Sequence, residues 1–301
     1  MKIAIIGLGS IAKKAYLPIL SVMEGVELYI STRNKKVLDE VSNKYKIDRS
    51  YINYENLISE NIDGAIISTH ADGHYEIAKK LIENGVNVYI DKPLTYNLNK
   101  SEEIVELAKK NNVIAMVGFN RRFCPKVSEL KKKGKADIIV MEKNREYPPG
   151  DTRQFIVEDF IHVVDTLRFL MDEEVKSLDV NFSKKNNKLN SVVVTFKGEN
   201  TTAVGIMNRC AGITEEIIEY MVKGNKFVVE ELVDSIEVNN NGKTRTTFGG
   251  WKSSLYKRGF DDLITHFLDS IKEKKNPNPS LEDSIISHKI CEEIVNYINN
   301  N

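Results

Sequence analysis

Residues 87–97, NVYIDKPLTYN, place an Asp-Lys pair at the end of an apolar run, with a proline directly behind it. Strands that end in a turn ordinarily close on Gly, Asn or Ser, so Lys92 stands where a reactive group would be displayed. Its ammonium can hydrogen-bond a hydroxyl or carbonyl oxygen, and burial or the adjacent Asp91 can tune its pKa. Pro93 constrains the backbone, and an X-Pro bond at such a turn can be cis. Alone, Lys92 would read as a surface lysine in a loop. A second cluster argues otherwise. In FIVEDFIHVVDTLRFL, Glu158, His162 and Asp165 fall at i, i+4 and i+7, one face of a helix, with Asp159 one residue off that line. A histidine on that face can relay a proton, with a carboxylate one turn away to orient it. A solvated polar stripe is the competing reading. Phe160, Ile161, Val163, Val164, Leu167 and Phe169 leave little of this helix polar, and polar groups on a buried helix need partners or a water-filled cleft.

A third stretch, IAIIGLGSIA, is a strand, a glycine turn and the start of a helix. Gly7, Gly9, Ser10, Ile11 and Ala12 form a G-x-G-x-x-A turn. The first glycine permits the tight turn, the second lets a pyrophosphate approach the backbone, and the small third residue keeps helix against strand. The next strand ends in Ser31-Thr32-Arg33, without the carboxylate that holds ribose hydroxyls in NAD enzymes. Hydroxyls and a guanidinium suit a 2′-phosphate, which favours NADP(H) over NAD(H). The bland alternative is an arginine decorating a solvated loop. Thr69, His70 and His74 follow another strand. Two histidines four apart could imitate a metal pair, but Gly73 between them marks a loop and no third ligand is near, so no metal is expected. Thr69 and His70 instead sit where doubly wound sheets place ligands.

The elements that must position these residues alternate strand and helix over the first 120 positions. Strands are expected at Lys2–Ile6, Glu27–Ile30, Gly64–Ser68, Val86–Ile90 and Ile114–Gly118, and helices at Ile11–Met23, Lys35–Tyr45, Tyr75–Asn84 and Ser101–Lys110. This predicts a doubly wound parallel sheet. After Arg121 come a helix at Val157–Met171 and alternating runs at Val175–Phe182, Ser191–Phe196, Thr202–Met207, Ile217–Val222, Phe227–Glu231 and Ser235–Asn239, the pattern of a mainly antiparallel open sheet. Helices at Arg258–Lys272 and from the Ser280 cap to about Tyr297 close the chain. The fold class is therefore α/β: a dinucleotide-binding domain over 1–120 and a substrate-binding and oligomerisation domain over 121–301, whose last helix, 280–298, has the option of packing back on the first. The 301 residues suffice for both cores. Equal totals of 43 basic and 43 acidic residues speak against a nucleic-acid or anionic-membrane partner. Lys131-Lys132-Lys133 reads as a solvated helix end. Cys124, Cys210 and Cys291 lack CxxC spacing and suit reduced thiols. No signal peptide or apolar span is visible, so a cytoplasmic protein is expected.

These motifs resemble the Gfo/Idh/MocA family of NAD(P)-dependent oxidoreductases, along nearly the whole chain. The matching pieces are G-x-G-x-I-A at 7–12, T-x-x-x-x-H at 69–74, Asp91-Lys92-Pro93 for the usual Glu-Lys-Pro, and acid-x-x-x-His-x-x-Asp at 158–165. The strings MVGFNRRF, DFIHVVDTLRFL and GWKSSLYKRGF are similar to its MviM-like branch. The resemblance implies a Rossmann domain plus an open-sheet α/β domain, association as a homodimer or homotetramer through that sheet, and a sugar-like or polyol substrate. It implies that Lys92 and His162 line the reaction centre with Glu158 assisting. By analogy Asn120 and Arg121 edge the same cleft, with Asp91, Lys92 and Asn120 at the cofactor and Arg121, Asp165, Tyr147, Arg153 and Trp251 as candidates for substrate contact. Two departures stand out: Asp91 replaces the commoner Glu, and Glu158 stands where Asp is more usual. Hydride transfer at a hydroxyl or carbonyl carbon is the leading activity. The alternative is a non-catalytic dinucleotide or sugar sensor of the same fold, which has no need of both Lys92 and His162.

Overall fold

The computed structural model describes residues 1–301, which form two compact units: Met1–Gly118 with Phe260–Ile286, and Phe119–Gly259 with Ser287–Asn301. In the first unit, short apolar runs become the strands β1 (Lys2–Ile6), β2 (Glu27–Ser31), β3 (Ser50–Tyr51), β4 (Gly64–Ile67), β5 (Asn87–Ile90) and β6 (Ala115–Val117). They form one sheet in the order β3-β2-β1-β4-β5-β6, and every pairing is parallel. Ile3, Ala4, Ile5, Ile66 and Val88 are fully buried because helices cover both faces, which is why these strands read as unbroken apolar runs. The strand order reverses between β1 and β4, the switch point at which such sheets leave a crevice at the carboxyl ends. Asn34 starts the helix Lys35–Tyr45 by accepting a hydrogen bond from the Val37 N–H. The helix Phe260–Glu273 belongs to this unit, with Phe260 and Phe267 stacked edge-on or tilted against Tyr16 and Tyr89.

The second unit carries β7 (Ile138–Glu146), β8 (Ser177–Lys185), β9 (Lys188–Lys197), β10 (Thr202–Asn208), β11 (Cys210–Val222), β12 (Asn225–Glu230), β13 (Asp234–Asn239) and β14 (Gly242–Thr246). Their order is β14-β13-β12-β11-β7-β10-β9-β8, antiparallel except where β7 meets β10. The helix Ile161–Met171 covers one face. It comes close because Gly205 has no side chain: a Cβ there would stand 2.8 Å from Val163 Cγ1. By the twofold alternation of strands, Ile139, Met141 and Lys143 of β7 face that helix.

The parallel and antiparallel sheets agree with the expected fold class. Two differences matter for function. β7 lies outside the expected strands, although it sits between β11 and β10 in the middle of its sheet. The expected helices Ile11–Met23 and Val157–Met171 each contain a π-helical turn, at Ala12–Tyr16 and Phe155–Phe160. Such turns change which side chains share a face, and they recur at functional sites.

Candidate functional site

The glycine turn leaves β1 with Gly7 at φ +93°, its N–H donating to the Ser31 carbonyl over 2.9 Å. A side chain at Gly7 would approach the Thr69 backbone nitrogen to 2.6 Å, so the close passage of the turn past the end of β4 requires glycine. Gly9 differs: a Cβ there would meet nothing within 4 Å. It faces a cavity of about 810 Å³ at the carboxyl ends of the strands, whose lining includes Gly7, Gly9, Ser31, Thr32, Arg33, Thr69 and His70. A second cavity of about 530 Å³ lies around Asp63, Asn87 and Ile114, at the opposite, amino ends. Open α/β sheets bind at their carboxyl ends, which selects the first. A dinucleotide fits this cavity. The open space at Gly9 admits a pyrophosphate against bare backbone, followed at once by the start of a helix. Ser10 is exposed there, Ile11 half-buried and Ala12 fully buried. Arg33 is exposed on the rim, with no carboxylate paired to it.

The two histidines separate in role. His74 is buried and spans two backbone oxygens, Nδ1 lying 2.9 Å from the Pro93 carbonyl and Nε2 3.1 Å from that of Thr69. It fastens the end of β4 to the turn after β5. His70 stays exposed beside Asp72, 3.1 Å away. That turn carries Asp91 and Lys92, both half-buried, beyond the lining of the 810 Å³ cavity. The Lys92–Pro93 bond is cis. Asp91 accepts a 2.8 Å hydrogen bond from the Tyr16 hydroxyl, which lies 3.2 Å from that of Tyr89. Gly118 leaves the room for Tyr89, since a Cβ there would come within 2.3 Å of its oxygen. Burial pushes the Asp91 carboxyl above the ordinary range, against the pull of Lys92 and the Tyr16 hydroxyl. Burial and the Asp91 carboxylate push the Tyr16 phenol well up. Of the two roles open to Asp91, the structure shows the anchoring of the turn in direct contacts.

The second unit gathers a polar cluster on the helix-covered face of its sheet. Glu216 of β11 and Lys143 of β7 are cross-strand partners there. Arg121 meets Glu216 with two bonds, Nε to Oε1 at 2.5 Å and Nη2 to Oε2 at 2.6 Å, and its Nη1 lies 2.7 Å from His162 Nδ1. Burial alone would raise the Glu216 carboxyl, but the Arg121 guanidinium outweighs it and holds it below the ordinary carboxylate range. Lys143 is 1% exposed, with Nζ 3.3 Å from Asp159 Oδ1. Burial lowers its pKa from 10.5 to about 7, despite Asp159. Glu158, Asp159 and His162 are half-exposed on a helix whose other residues from Phe155 to Leu167 are buried, which fits a wet edge better than a solvated stripe.

Several expected contacts fall out differently. Asp165 is 1% exposed, bonded through Oδ1 to Arg122 Nη2 (2.7 Å) and Ser287 (2.8 Å) and through Oδ2 to Arg122 Nε (2.9 Å). In this structure Asp165 therefore sits in an ion pair with Arg122. Arg153 is likewise taken up, by both oxygens of Glu292. Asn120, expected at the cofactor, belongs to the second unit and donates to the Arg258 carbonyl at 2.8 Å. Tyr147 is half-exposed under the Arg209 guanidinium, and Trp251 stands fully in solvent. Lys143 escaped the sequence reading. Its one signal was position: Ile139, Met141 and Lys143 alternate, so the lysine falls on the buried phase of a strand whose second half reads as polar loop.

Lys143 carries a stability prediction. Its pKa is depressed, so between about pH 7 and 10.5 the unfolded chain holds a proton that the folded chain has shed, and stability rises with pH across that window. Lys143→Met removes this titration, so the wild type is expected to gain stability relative to the variant between pH 7 and pH 10, by roughly 3–4 kcal/mol at about 1.36 kcal/mol per pH unit. Paired denaturant titrations at both pH values check it, and a pH-independent difference would count against a buried, titrating lysine.

Comparison with known proteins places this arrangement. Residues 1–119 match a family model described as an oxidoreductase family with an NAD-binding Rossmann fold, and residues 125–241 match one described as a YceM-like C-terminal domain. The solved structure of a dehydrogenase, MviM, from Clostridium difficile is 33% identical, covers 99% of both chains and superposes with a TM-score of 0.95. The chain belongs to the Gfo/Idh/MocA family. Among the relatives of this Gfo/Idh/MocA chain, the Salmonella typhimurium protein YceM is 28% identical over 97% of this chain and 96% of its own. A myo-inositol 2-dehydrogenase from Thermotoga maritima is 24% identical over 94% and 92%. The first unit is thus an NAD-binding Rossmann fold. No helix of the protein is long and apolar enough to cross a membrane.

Proposed function

We propose that this protein is an NADP(H)-preferring oxidoreductase that moves a hydride between the nicotinamide and a hydroxyl-bearing or carbonyl carbon of a cyclic polyol or sugar. The observation that carries the reading is the carboxyl-edge cavity: Gly9 opens onto it, and Ser31, Thr32 and Arg33 line it in place of a carboxylate. Bound there, the coenzyme would supply the hydride chemistry. The chain's own work is to bind, orient and handle a proton. Gly7 and Gly9 present backbone to the pyrophosphate, and Thr32 and Arg33 take the 2′-phosphate. Lys92 exchanges the proton of the substrate oxygen, and His162 hydrogen-bonds substrate, with Glu158 assisting. The polyol class is supported by the inositol dehydrogenases among the relatives. Half-exposed Val140, Val204 and Ile206 on the sheet face away from the helix support association through that sheet.

Arg33→Ala tests the coenzyme assignment. A hydrogen bond to a charged partner contributes about 1.5–3 kcal/mol, so NADPH affinity should fall roughly ten- to a hundredfold while NADH affinity stays put. Fluorescence titration of both coenzymes reads this directly. Wild-type protein that favours NADH tenfold would sink the NADP(H) assignment. A panel of inositols and hexoses under NADP⁺ reduction at 340 nm checks the substrate class.

A further inference from the structure

We propose that Arg121 is a positioning residue that holds His162 as the neutral Nε2–H tautomer, so that this histidine acts on a substrate oxygen as a hydrogen-bond donor. The inference rests on the reading of His162 as a site residue given above. A guanidinium has only donors, and it keeps its charge at every pH at which proteins are folded. In the 2.7 Å contact between Arg121 Nη1 and His162 Nδ1, the hydrogen is therefore the arginine's, and Nδ1 contributes a lone pair. A neutral imidazole that accepts at Nδ1 carries its proton on Nε2.

Arg121 is not free to turn aside. Its Nε and Nη2 are tied to the two oxygens of Glu216, and both side chains are buried, at 8% and 5% exposure. Glu216 is itself pinned: its N–H donates to Glu231 Oε1 at 2.7 Å, and its carbonyl accepts from the Glu231 N–H at 2.8 Å. Along its own helix, Asp165 is paired with Arg122 and Asp159 faces Lys143, while Glu158, one turn before the ring, can only accept a hydrogen, which is compatible with a proton on Nε2. A second proton on the ring would have to break the Arg121 contact and set an imidazolium against a guanidinium.

The consequence for the chemistry is a division of labour. A ring with its hydrogen on Nε2 has no lone pair there to take a hydroxyl proton, although it can steady a carbonyl or developing alkoxide oxygen. Uptake of the proton then falls to a different group, the role the proposed reaction gives to Lys92.

The test reads the ring itself. Wild-type protein labelled with ¹⁵N in its histidine rings, in long-range ¹⁵N–¹H correlation spectra at pH 7.5, should show His162 with an unprotonated Nδ1 and a protonated Nε2. A spectrum of His162→Gln assigns the signal among the five histidines. Arg121→Met should release the ring into a mixture of tautomers and leave the other four unchanged. A protonated Nδ1 in the wild type overturns the proposal, as does an unaltered tautomer in a folded Arg121→Met. If that variant does not fold, the wild-type spectrum still decides. The measurement needs neither coenzyme nor substrate, so its failure is separable from failure of the proposed reaction, which the turnover of His162→Gln reports.

Discussion

Lys92→Ala is expected to lower kcat by about a hundred- to ten-thousandfold, the usual contribution of a positioned proton-transfer group, while NADPH affinity changes less than threefold. The expectation follows from where the turn holds this residue. β5 ends at Ile90, Asp91 is anchored inward to Tyr16, and His74 clamps the Pro93 carbonyl, so the backbone on both sides of Lys92 is fixed. A lysine on a mobile loop would lose catalytic advantage to rotamer entropy; one held between two anchors is pre-organised. Steady-state rates together with a coenzyme titration separate the two effects. A loss of less than tenfold in kcat would remove Lys92 from the chemistry. A parallel collapse in coenzyme affinity would recast it as a binding residue.

Glu216→Leu is expected to be the most damaging single change in the second unit, costing about 3–5 kcal/mol, because it strands a buried guanidinium. Arg121 would keep its charge in an apolar setting, left with a 2.7 Å contact to His162 and a 3.4 Å contact to Asn120 in place of its carboxylate partner. The same pair makes the fold acid-sensitive. The Glu216 carboxyl titrates below its ordinary value in the folded protein, so its stabilisation is complete above about pH 4.3. It is lost as the pH falls through the depressed folded value. Urea titrations of wild type and Glu216→Leu at pH 7 and pH 3.5 read both statements. The difference between them should be largest at neutral pH, and an equal difference at both would show that the ion pair is not its source.

These two residues mark what could be read in advance. Lys92 announced itself locally. A lysine between an apolar run and a proline is odd in any fold, and the alternation of strands and helices placed it at a carboxyl edge. The glycine turn was legible for the same reason: Gly7 and Gly9 stand between a clear strand and a clear helix, and the backbone demands there depend on immediate neighbours. The doubly wound sheet also followed, because strands buried on both faces must be apolar throughout.

Glu216 and Lys143 had no such signature. Each lies in a run of polar residues, E-K-N-R-E at 142–146 and T-E-E at 214–216, that reads as exposed. Only strand pairing set them opposite one another on the face packed by the helix Ile161–Met171, and only Arg121, nearly a hundred positions away in sequence, neutralised the buried carboxylate. The same holds on the helix Ile161–Met171: spacing puts Asp165 on one line with Glu158 and His162, and only the tertiary structure shows that Arg122 is its ion-pair partner. The sequence by itself determined the backbone turns and the two kinds of sheet, properties of local spacing, and singled out Lys92 and His162 as candidates. Tertiary structure alone decided which charges are buried together, because burial and pairing are set by residues distant along the chain.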